Sequence, residues 1–173
     1  MNQAAEQKTP DTSAAPDSGG YTASLSIAAE PRAVYAALTS ADAISRWYAP
    51  CSGDANAGGQ LTFHFGDAIV CADVTDAIPD RQVRWAVTVS EPLPEWEGTF
   101  IEFVLAAAED GRTTLGFFHR GLTASCECFD MCRAGWEQYL RSLLDYVERG
   151  AGLAFGSEND TRAEHWEQTR ARG

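Results

Sequence analysis

Hydrophobic and polar residues alternate along most of the middle of this chain, which is the pattern of half-buried β-strands. The alternating segments are Tyr21–Ala28, Leu61–Phe65, Ile69–Val74, Val83–Val89, Phe100–Leu105 and Thr113–His119. Turn signals such as Gly66-Asp67 and Pro79-Asp80 separate them. Because short turns join neighbouring strands, we predict one antiparallel sheet of about six strands.

Helical spacing replaces this alternation in two places. After the first strand, Pro31 suits the first position of a helix, and Ser40 can cap a second short helix. Apolar positions at residues 126–148 then repeat every three or four residues, which predicts one long helix with Ser125 as its N-cap and Gly150 as its stop. The predicted order is β-α-α-β(5)-α, an α+β fold in which the long helix covers the concave face of the sheet.

Two terminal segments lack this patterning. Residues 1–19 are rich in Ala, Ser, Asp, Gln and Pro, so we predict a disordered tail. Residues 153–173 are mostly polar, and we predict a C-terminal tail there. The folded domain is expected to span residues 20–152, and the 173-residue chain is long enough for one such domain.

Composition and charge restrict the function. The formal net charge of -12 argues against nucleic acid and against anionic membrane surfaces as partners, because both attract basic proteins. No apolar run reaches the length of a membrane span, and no signal peptide is recognisable. We therefore expect a cytoplasmic protein in which the five cysteines are reduced.

Aromatic and aliphatic side chains on the predicted strand and helix faces form the first candidate site. The set consists of Trp47, Phe63, Phe65, Trp85, Phe103, Phe117, Trp136, Tyr139, Leu140 and Leu143. Such a set either lines a ligand cavity or fills an ordinary core. His119 shares the parity of Leu115 and Phe117, so it should point to the same face. It is either a polar anchor for a ligand or a hydrogen-bonded histidine at the rim of the core.

Three thiols lie close together at Cys126, Cys128 and Cys132. Their spacing does not match a common zinc pattern, so we predict no metal site and interpret them as small buried or incidental thiols. A thiol in the first turn of a helix has a lowered pKa, which would make Cys126 or Cys128 prone to oxidation. The sequence contains no P-loop, Rossmann glycine pattern or nucleophile motif, and no cofactor is predicted.

Several short motifs occur in an order that is typical of one family. They are the Pro31–Leu38 helix with Trp47-Tyr48-Ala49-Pro50, Gly58-Gly59, the segment Ile78–Trp85, Gly98-Thr99, Thr114–His119 with Gly121-Leu122, and Gly135-Trp136. Together they make the chain resemble the START-like (SRPBCC) superfamily, and within it the domains related to the heat-shock protein 90 ATPase activator. The resemblance implies a helix-grip fold, a curved antiparallel sheet around a long C-terminal helix that usually encloses a pocket.

The resemblance implies a pocket rather than a reaction. We expect a small hydrophobic or aromatic ligand between the sheet and the last helix, with the aromatic set and His119 around it. Two alternatives stay open: an enzyme of the polyketide cyclase or aromatase type, and an interaction module like the chaperone activator. Relatives also make a homodimer plausible, although the sequence locates no interface.

Overall fold

The computed structural model describes residues 19–162, which form one sheet and three helices. The strands are β1 (Gly20–Ile27), β2 (Cys51–Gly53), β3 (Gln60–Phe65), β4 (Ala68–Ile78), β5 (Gln82–Ser90), β6 (Phe100–Ala107) and β7 (Thr113–Arg120). The helices are α1 (Pro31–Leu38), α2 (Ala41–Trp47) and α3 (Phe129–Arg149), and a 3-10 turn spans Pro94–Trp96. The predicted tails lie outside the described residues, except Gly19 in the first and residues 153–162 in the second.

The sheet confirms the predicted fold class. All neighbouring strands are antiparallel, in the order β1-β7-β6-β5-β4-β3-β2. It holds one strand more than the predicted β-α-α-β(5)-α order, because Cys51–Gly53 pairs with the start of β3. Three residues are too few to show an alternation, which explains why the pattern did not reveal this edge strand.

The two short helices begin where their sequence signals stand. Pro31 occupies the first turn of α1, and the Ser40 hydroxyl accepts a hydrogen bond from the Ala43 N–H at 3.3 Å. The Trp47 indole N–H donates to the Ala37 carbonyl at 2.9 Å, which ties the end of α2 to α1. Tyr48, directly after α2, is thereby held under the sheet with only 1% of its surface exposed.

Helix α3 begins three residues later than predicted. The Ser125 hydroxyl pairs with the Thr123 hydroxyl at 2.7 Å, and it does not cap the helix. The Glu95 carboxylate instead accepts the backbone N–H groups of Glu127 at 3.2 Å and Cys128 at 3.3 Å. A carboxylate from a distant loop therefore serves donors at the beginning of the helix that a local cap would otherwise satisfy.

The concave face of the sheet is closed by α3, as the pattern predicted. The buried residues of α3 are Cys132, Trp136, Leu140, Ser142 and Leu143. The Trp136 ring lies 4.5 Å from the Phe117 ring of β7, measured between centroids. The core of the domain is therefore the layer between the sheet and this helix.

After α3 the chain turns back against the domain. Gly150 ends the helix in the left-handed conformation with a φ of 79°, and its N–H donates to the Tyr146 carbonyl at 2.8 Å. The Ser142 hydroxyl donates to the Trp47 carbonyl at 2.8 Å and accepts the Leu153 N–H at 2.6 Å. Gly152 packs so closely that a Cβ would lie 2.7 Å from the Arg46 carbonyl oxygen. Within residues 19–162, no helix has the length and apolar character required to cross a membrane.

Candidate functional site

A pocket of about 440 Å³ opens at one end of the layer between the sheet and α3. We call it the rim pocket. Its walls come from Phe65 and Val70 of the β3–β4 hairpin, from Pro92, Leu93 and Trp96 before β6, and from Phe155, Thr161 and Arg162 after α3. Helix α3 contributes Met131, Cys132, Ala134, Gly135, Trp136, Gln138 and Tyr139. Tyr48 also contributes to its lining. Because most of these groups are apolar or aromatic, the rim pocket has the chemistry of a small-molecule site.

Trp96 forms the wall on the loop side. Its indole ring stacks on Trp136 with a centroid distance of 5.9 Å and an interplanar angle of 9°. Its Nε1–H donates to the Cys132 sulfur at 3.4 Å. The neighbouring Glu95 carboxylate holds the same loop to the beginning of α3, and the Cys128 thiol and these two N–H groups keep the pKa of Glu95 below its usual range.

Tyr48 is the most deeply buried polar group in the rim pocket. Its ring stacks on Trp136 at 5.3 Å and meets the edge of Tyr139 at 4.8 Å. Its hydroxyl is buried and has no hydrogen-bond partner among the described residues. Burial raises the pKa of this phenol well above its usual value, with smaller contributions from nearby Tyr139 and Cys132. Tyr48 is therefore a neutral donor at physiological pH.

Residues after α3 supply the remaining wall. The Phe155 N–H donates to the Tyr48 carbonyl at 2.8 Å, and the two phenyl rings of Phe155 and Phe65 meet edge to face at 5.1 Å. The Arg162 guanidinium lies 4.3 Å above the Tyr139 ring. Its Nε donates to the buried Asp160 carboxylate at 2.5 Å.

One guanidinium nitrogen of Arg162 lacks a hydrogen-bond partner among the described residues. Its Nη2 donates to the Leu153 carbonyl at 2.5 Å, whereas its Nη1 is buried and has no partner among the described residues. Arg162 and Tyr48 thus each present an unsatisfied donor on a residue that lines the rim pocket. A buried polar group without a partner is costly, so these two atoms are candidate contacts for a ligand.

Most of the predicted site residues lie deeper than the rim pocket. Phe65, Trp136 and Tyr139 line it. The others form what we call the sealed interior: Trp47, Phe63, Trp85, Phe103, Phe117, His119, Leu140 and Leu143, each at most 2% exposed. Their rings contact one another directly, for example Phe103 with Trp85 at 5.1 Å and with Phe117 at 5.3 Å. The sealed interior is therefore packed side chain against side chain.

His119 occupies a closed hydrogen-bond chain. The Trp136 Nε1–H donates to its Nδ1 at 3.0 Å, which requires the proton of the neutral imidazole to sit on Nε2. That Nε2–H donates to the Thr99 hydroxyl at 2.9 Å, and the hydroxyl donates to the Trp96 carbonyl at 2.6 Å. Burial lowers the pKa of His119 to about 3. Both ring nitrogens are thus engaged within the protein, so a ligand would have to break this chain to use His119 as an anchor.

The chain was also compared with models of known protein families. The family model described as Activator of Hsp90 ATPase homolog 1-like protein matches residues 28–148. The chain belongs to this family. The predicted START-like (SRPBCC) resemblance is thereby confirmed. No curated protein matches the chain.

Solved structures similar to this family member agree with the fold. The Aha1 dimer from Colwellia psychrerythraea is 29% identical with a TM-score of 0.68, covering 78% of this chain and 99% of that one. CalU16 from Micromonospora echinospora is 24% identical with a TM-score of 0.62, covering 87% and 83% respectively. DynU16, from the dynemicin biosynthetic locus, is 21% identical with a TM-score of 0.64, and the match covers 79% of this chain but only 49% of DynU16.

One cysteine of this Hsp90-activator-like domain differs from its predicted behaviour. The lowered pKa predicted for Cys128 is wrong, because burial and the neighbouring Glu95 and Cys132 raise it. Burial also raises the pKa of Cys132, and that of Cys51 to about 12. Among residues 19–162, no group of three or more His, Cys, Asp or Glu side chains is arranged to hold a metal ion.

The rim-pocket residues that the sequence did not indicate include Tyr48, Trp96, Phe155 and Arg162. Tyr48 follows Trp47 in the helix-to-strand connection, so an aromatic pair was the only signal for it. Trp96 lies in a loop interrupted by Pro92 and Pro94, where no periodicity exists. The other two follow the stop of α3, in a segment whose polar composition indicated a tail.

Proposed function

We propose that this member of the Hsp90-activator-like family binds a small hydrophobic or aromatic molecule in the rim pocket. One observation carries the proposal: an aromatic-walled pocket of about 440 Å³ is lined by Tyr48, whose buried hydroxyl has no hydrogen-bond partner among the described residues. Apolar walls with a few fixed polar groups are the usual design of ligand sites. The sealed interior supports the pocket as a rigid wall and does not itself receive the ligand.

Binding is favoured over catalysis by the protonation states of the pocket groups. Burial raises the pKa of Tyr48, Tyr139 and Cys132, so all three are protonated at neutral pH. They can donate hydrogen bonds but do not act as general bases. His119, the candidate for a proton-transfer role, donates and accepts within the sealed interior. The described site is therefore equipped to hold a molecule rather than to activate one.

The first experiment is native mass spectrometry of freshly purified protein without added ligand. A reproducible excess mass that disappears on denaturation would identify a retained ligand. Protein that carries no excess mass is then screened by thermal shift against a panel of aromatic compounds, because a ligand that binds only the folded state raises its stability by mass action.

Gly135 offers a matched pair of variants for this test. It lines the rim pocket on α3, and a Cβ placed there would meet only the Tyr139 ring, at 3.9 Å. Gly135→Ala should fold and retain binding, whereas Gly135→Leu should fold but place a bulky side chain in the pocket and obstruct the ligand. Both substitutions raise helix propensity, so a loss of binding confined to the leucine variant is steric. Equal binding by both variants would contradict the rim pocket as the site.

The oligomeric state is part of the same proposal. The solved Colwellia psychrerythraea relative is described as a dimer, and we propose a cytoplasmic homodimer here as well. Sedimentation velocity over a range of protein concentrations tests it. A single monomeric species at all concentrations would contradict the dimer without affecting the ligand proposal.

A further inference from the structure

The two unsatisfied donors of the rim pocket restrict the chemistry of its ligand. Resting on the proposed function, we infer that the ligand is an aromatic molecule with neutral carbonyl-type acceptor oxygens, which accept hydrogen bonds from Tyr48 Oη and Arg162 Nη1. Three features support this inference. Both donor atoms are buried, both residues contact Tyr139, and the charge of Arg162 is already balanced by Asp160.

Both atoms are buried deeply enough to require a partner. Tyr48 is 1% exposed, the side chain of Arg162 is 14% exposed, and neither Oη nor Nη1 has a partner among the described residues. Five buried side-chain nitrogen or oxygen atoms are unpaired in residues 19–162, and the other three are Arg84 Nε, Trp85 Nε1 and Ser90 Oγ. Only the atoms of Tyr48 and Arg162 belong to residues that line the rim pocket.

Tyr139 brings the two donors into one neighbourhood. The Tyr48 ring meets the Tyr139 ring at a centroid distance of 4.8 Å, and the Arg162 guanidinium carbon lies 4.3 Å from the centroid of the same ring. A single planar ligand bound beside Tyr139 would therefore lie close to both Tyr48 and Arg162. The stacked Trp96 and Trp136 rings provide a flat aromatic wall for such a molecule.

The local charge favours a neutral acceptor over an anion. A guanidinium nitrogen can only donate, so its missing partner must be an acceptor. The positive charge of Arg162 is already balanced by the Asp160 carboxylate, whose side chain is fully buried. A ligand carboxylate would therefore add an uncompensated negative charge to a buried site, which is strongly unfavourable. A ketone, quinone or amide oxygen accepts the same hydrogen bond without this penalty.

Three rigid probes of nearly the same shape test the ligand class: fluorene, 9-fluorenone and fluorene-9-carboxylate. Calorimetric titration of the full chain is expected to give roughly five- to tenfold tighter binding for 9-fluorenone than for fluorene, the effect of about one hydrogen bond. Fluorene-9-carboxylate should bind more weakly than 9-fluorenone. Equal binding of fluorene and 9-fluorenone, or tightest binding of the carboxylate, would overturn the inference while leaving the proposed function intact.

Variants assign the effect to the two donors. Tyr48→Phe should weaken 9-fluorenone binding about threefold, its share of the total preference for the ketone, and leave fluorene binding unchanged. Arg162→Lys retains the charge opposite Asp160 but lacks Nη1, so it should show the same selective loss. Tyr146→Phe is the matched control, because Tyr146 lies on α3 outside the rim pocket.

Circular dichroism separates misfolding from loss of recognition in each variant. A parallel loss of fluorene and 9-fluorenone binding in a folded Tyr48→Phe protein would contradict the assigned hydrogen bond. If none of the three probes binds to the folded wild-type chain, the proposed function and this inference both fail.

Discussion

The sealed interior and the rim pocket share one layer between the sheet and α3, but they differ in how their buried polar atoms are hydrogen-bonded. In the sealed interior, the imidazole of His119 has both nitrogens paired, and the indole of Trp47 is hydrogen-bonded as well. The unpaired Trp85 Nε1 is the exception there. The rim pocket leaves Tyr48 and Arg162 with unused donors. The two unpaired donors of the rim pocket belong to residues that line an open space, whereas Trp85 is fully buried and does not line this pocket. In the proposed function, an open space combined with unpaired donors, rather than aromatic content, distinguishes the rim pocket from the sealed interior.

The largest expected effect compares one phenylalanine from each region. Phe103 is fully buried among Trp47, Trp85 and Phe117, so Phe103→Ala should lower the free energy of unfolding by about 3–5 kcal/mol. Phe65 is 8% exposed and borders the rim pocket, so Phe65→Ala enlarges an existing space and should cost only about 2 kcal/mol. Urea unfolding with comparison of m-values measures both. Equal losses would show that the two regions are packed alike.

The pH dependence of stability tests the closed chain around His119. Its folded pKa of about 3 is below the unfolded value near 6.5, so the unfolded state binds the proton more readily. The stabilisation from the neutral His119 is fully present above pH 6.5 and is lost as the pH falls towards 3. Over this range the free energy of unfolding decreases by roughly 1.4 kcal/mol per pH unit. His119→Gln should be less stable at pH 7 but should lose less stability between pH 7 and pH 5. Identical slopes in the two proteins would contradict a neutral, buried imidazole.

Two substitutions that each remove one hydroxyl compare a hydrogen-bonded group with a group that has no partner. Thr99→Val removes a hydroxyl that is bonded both to His119 and to the Trp96 carbonyl, and it should cost about 1–3 kcal/mol of stability because partners are left unpaired. Tyr48→Phe removes a hydroxyl without a partner, and without ligand it should be neutral or stabilise the protein by up to about 1 kcal/mol. Thermal and urea unfolding of the two variants decide the signs. A large destabilisation by Tyr48→Phe would reveal a partner for that hydroxyl.

The smallest expected effect is on the reactivity of the thiols, and it can be measured on the wild-type protein. The raised pKa values of Cys51, Cys128 and Cys132 leave little thiolate at pH 8. Iodoacetamide should therefore label these three residues slowly in the native protein and quickly in urea. Peptide mass spectrometry follows each site separately. Fast native labelling of Cys132, which lines the rim pocket, would show that this end of the molecule opens readily in solution.

Periodicity predicted the elements of the fold but not which faces touch. The strand alternation and the three- and four-residue spacing of Trp136, Leu140 and Leu143 correctly placed α3 over the sheet. Such patterns assign a side chain to a face, but they do not tell whether the opposing face fills the space in front of it. Phe65 and Phe103 both follow the same rule, and only one of them reaches the rim pocket. Trp96 and Arg162 lie outside any periodic segment, so no pattern could indicate their role.

The return of the chain after Gly152 has a consequence for how this domain can acquire new specificity. The family match ends at residue 148, whereas Phe155, Thr161 and Arg162 lie beyond it and still form one wall of the rim pocket. The part of the domain within the family match provides the sheet and α3, and the segment after it provides part of the proposed binding surface. Thr161 is exposed and lines the rim pocket, so its substitution would change this wall with little effect on the core, whereas Phe155 and Asp160 are buried and contribute to the fold. For protein engineering, Thr161 is therefore a position at which the proposed site can be varied while the packed layer is left in place.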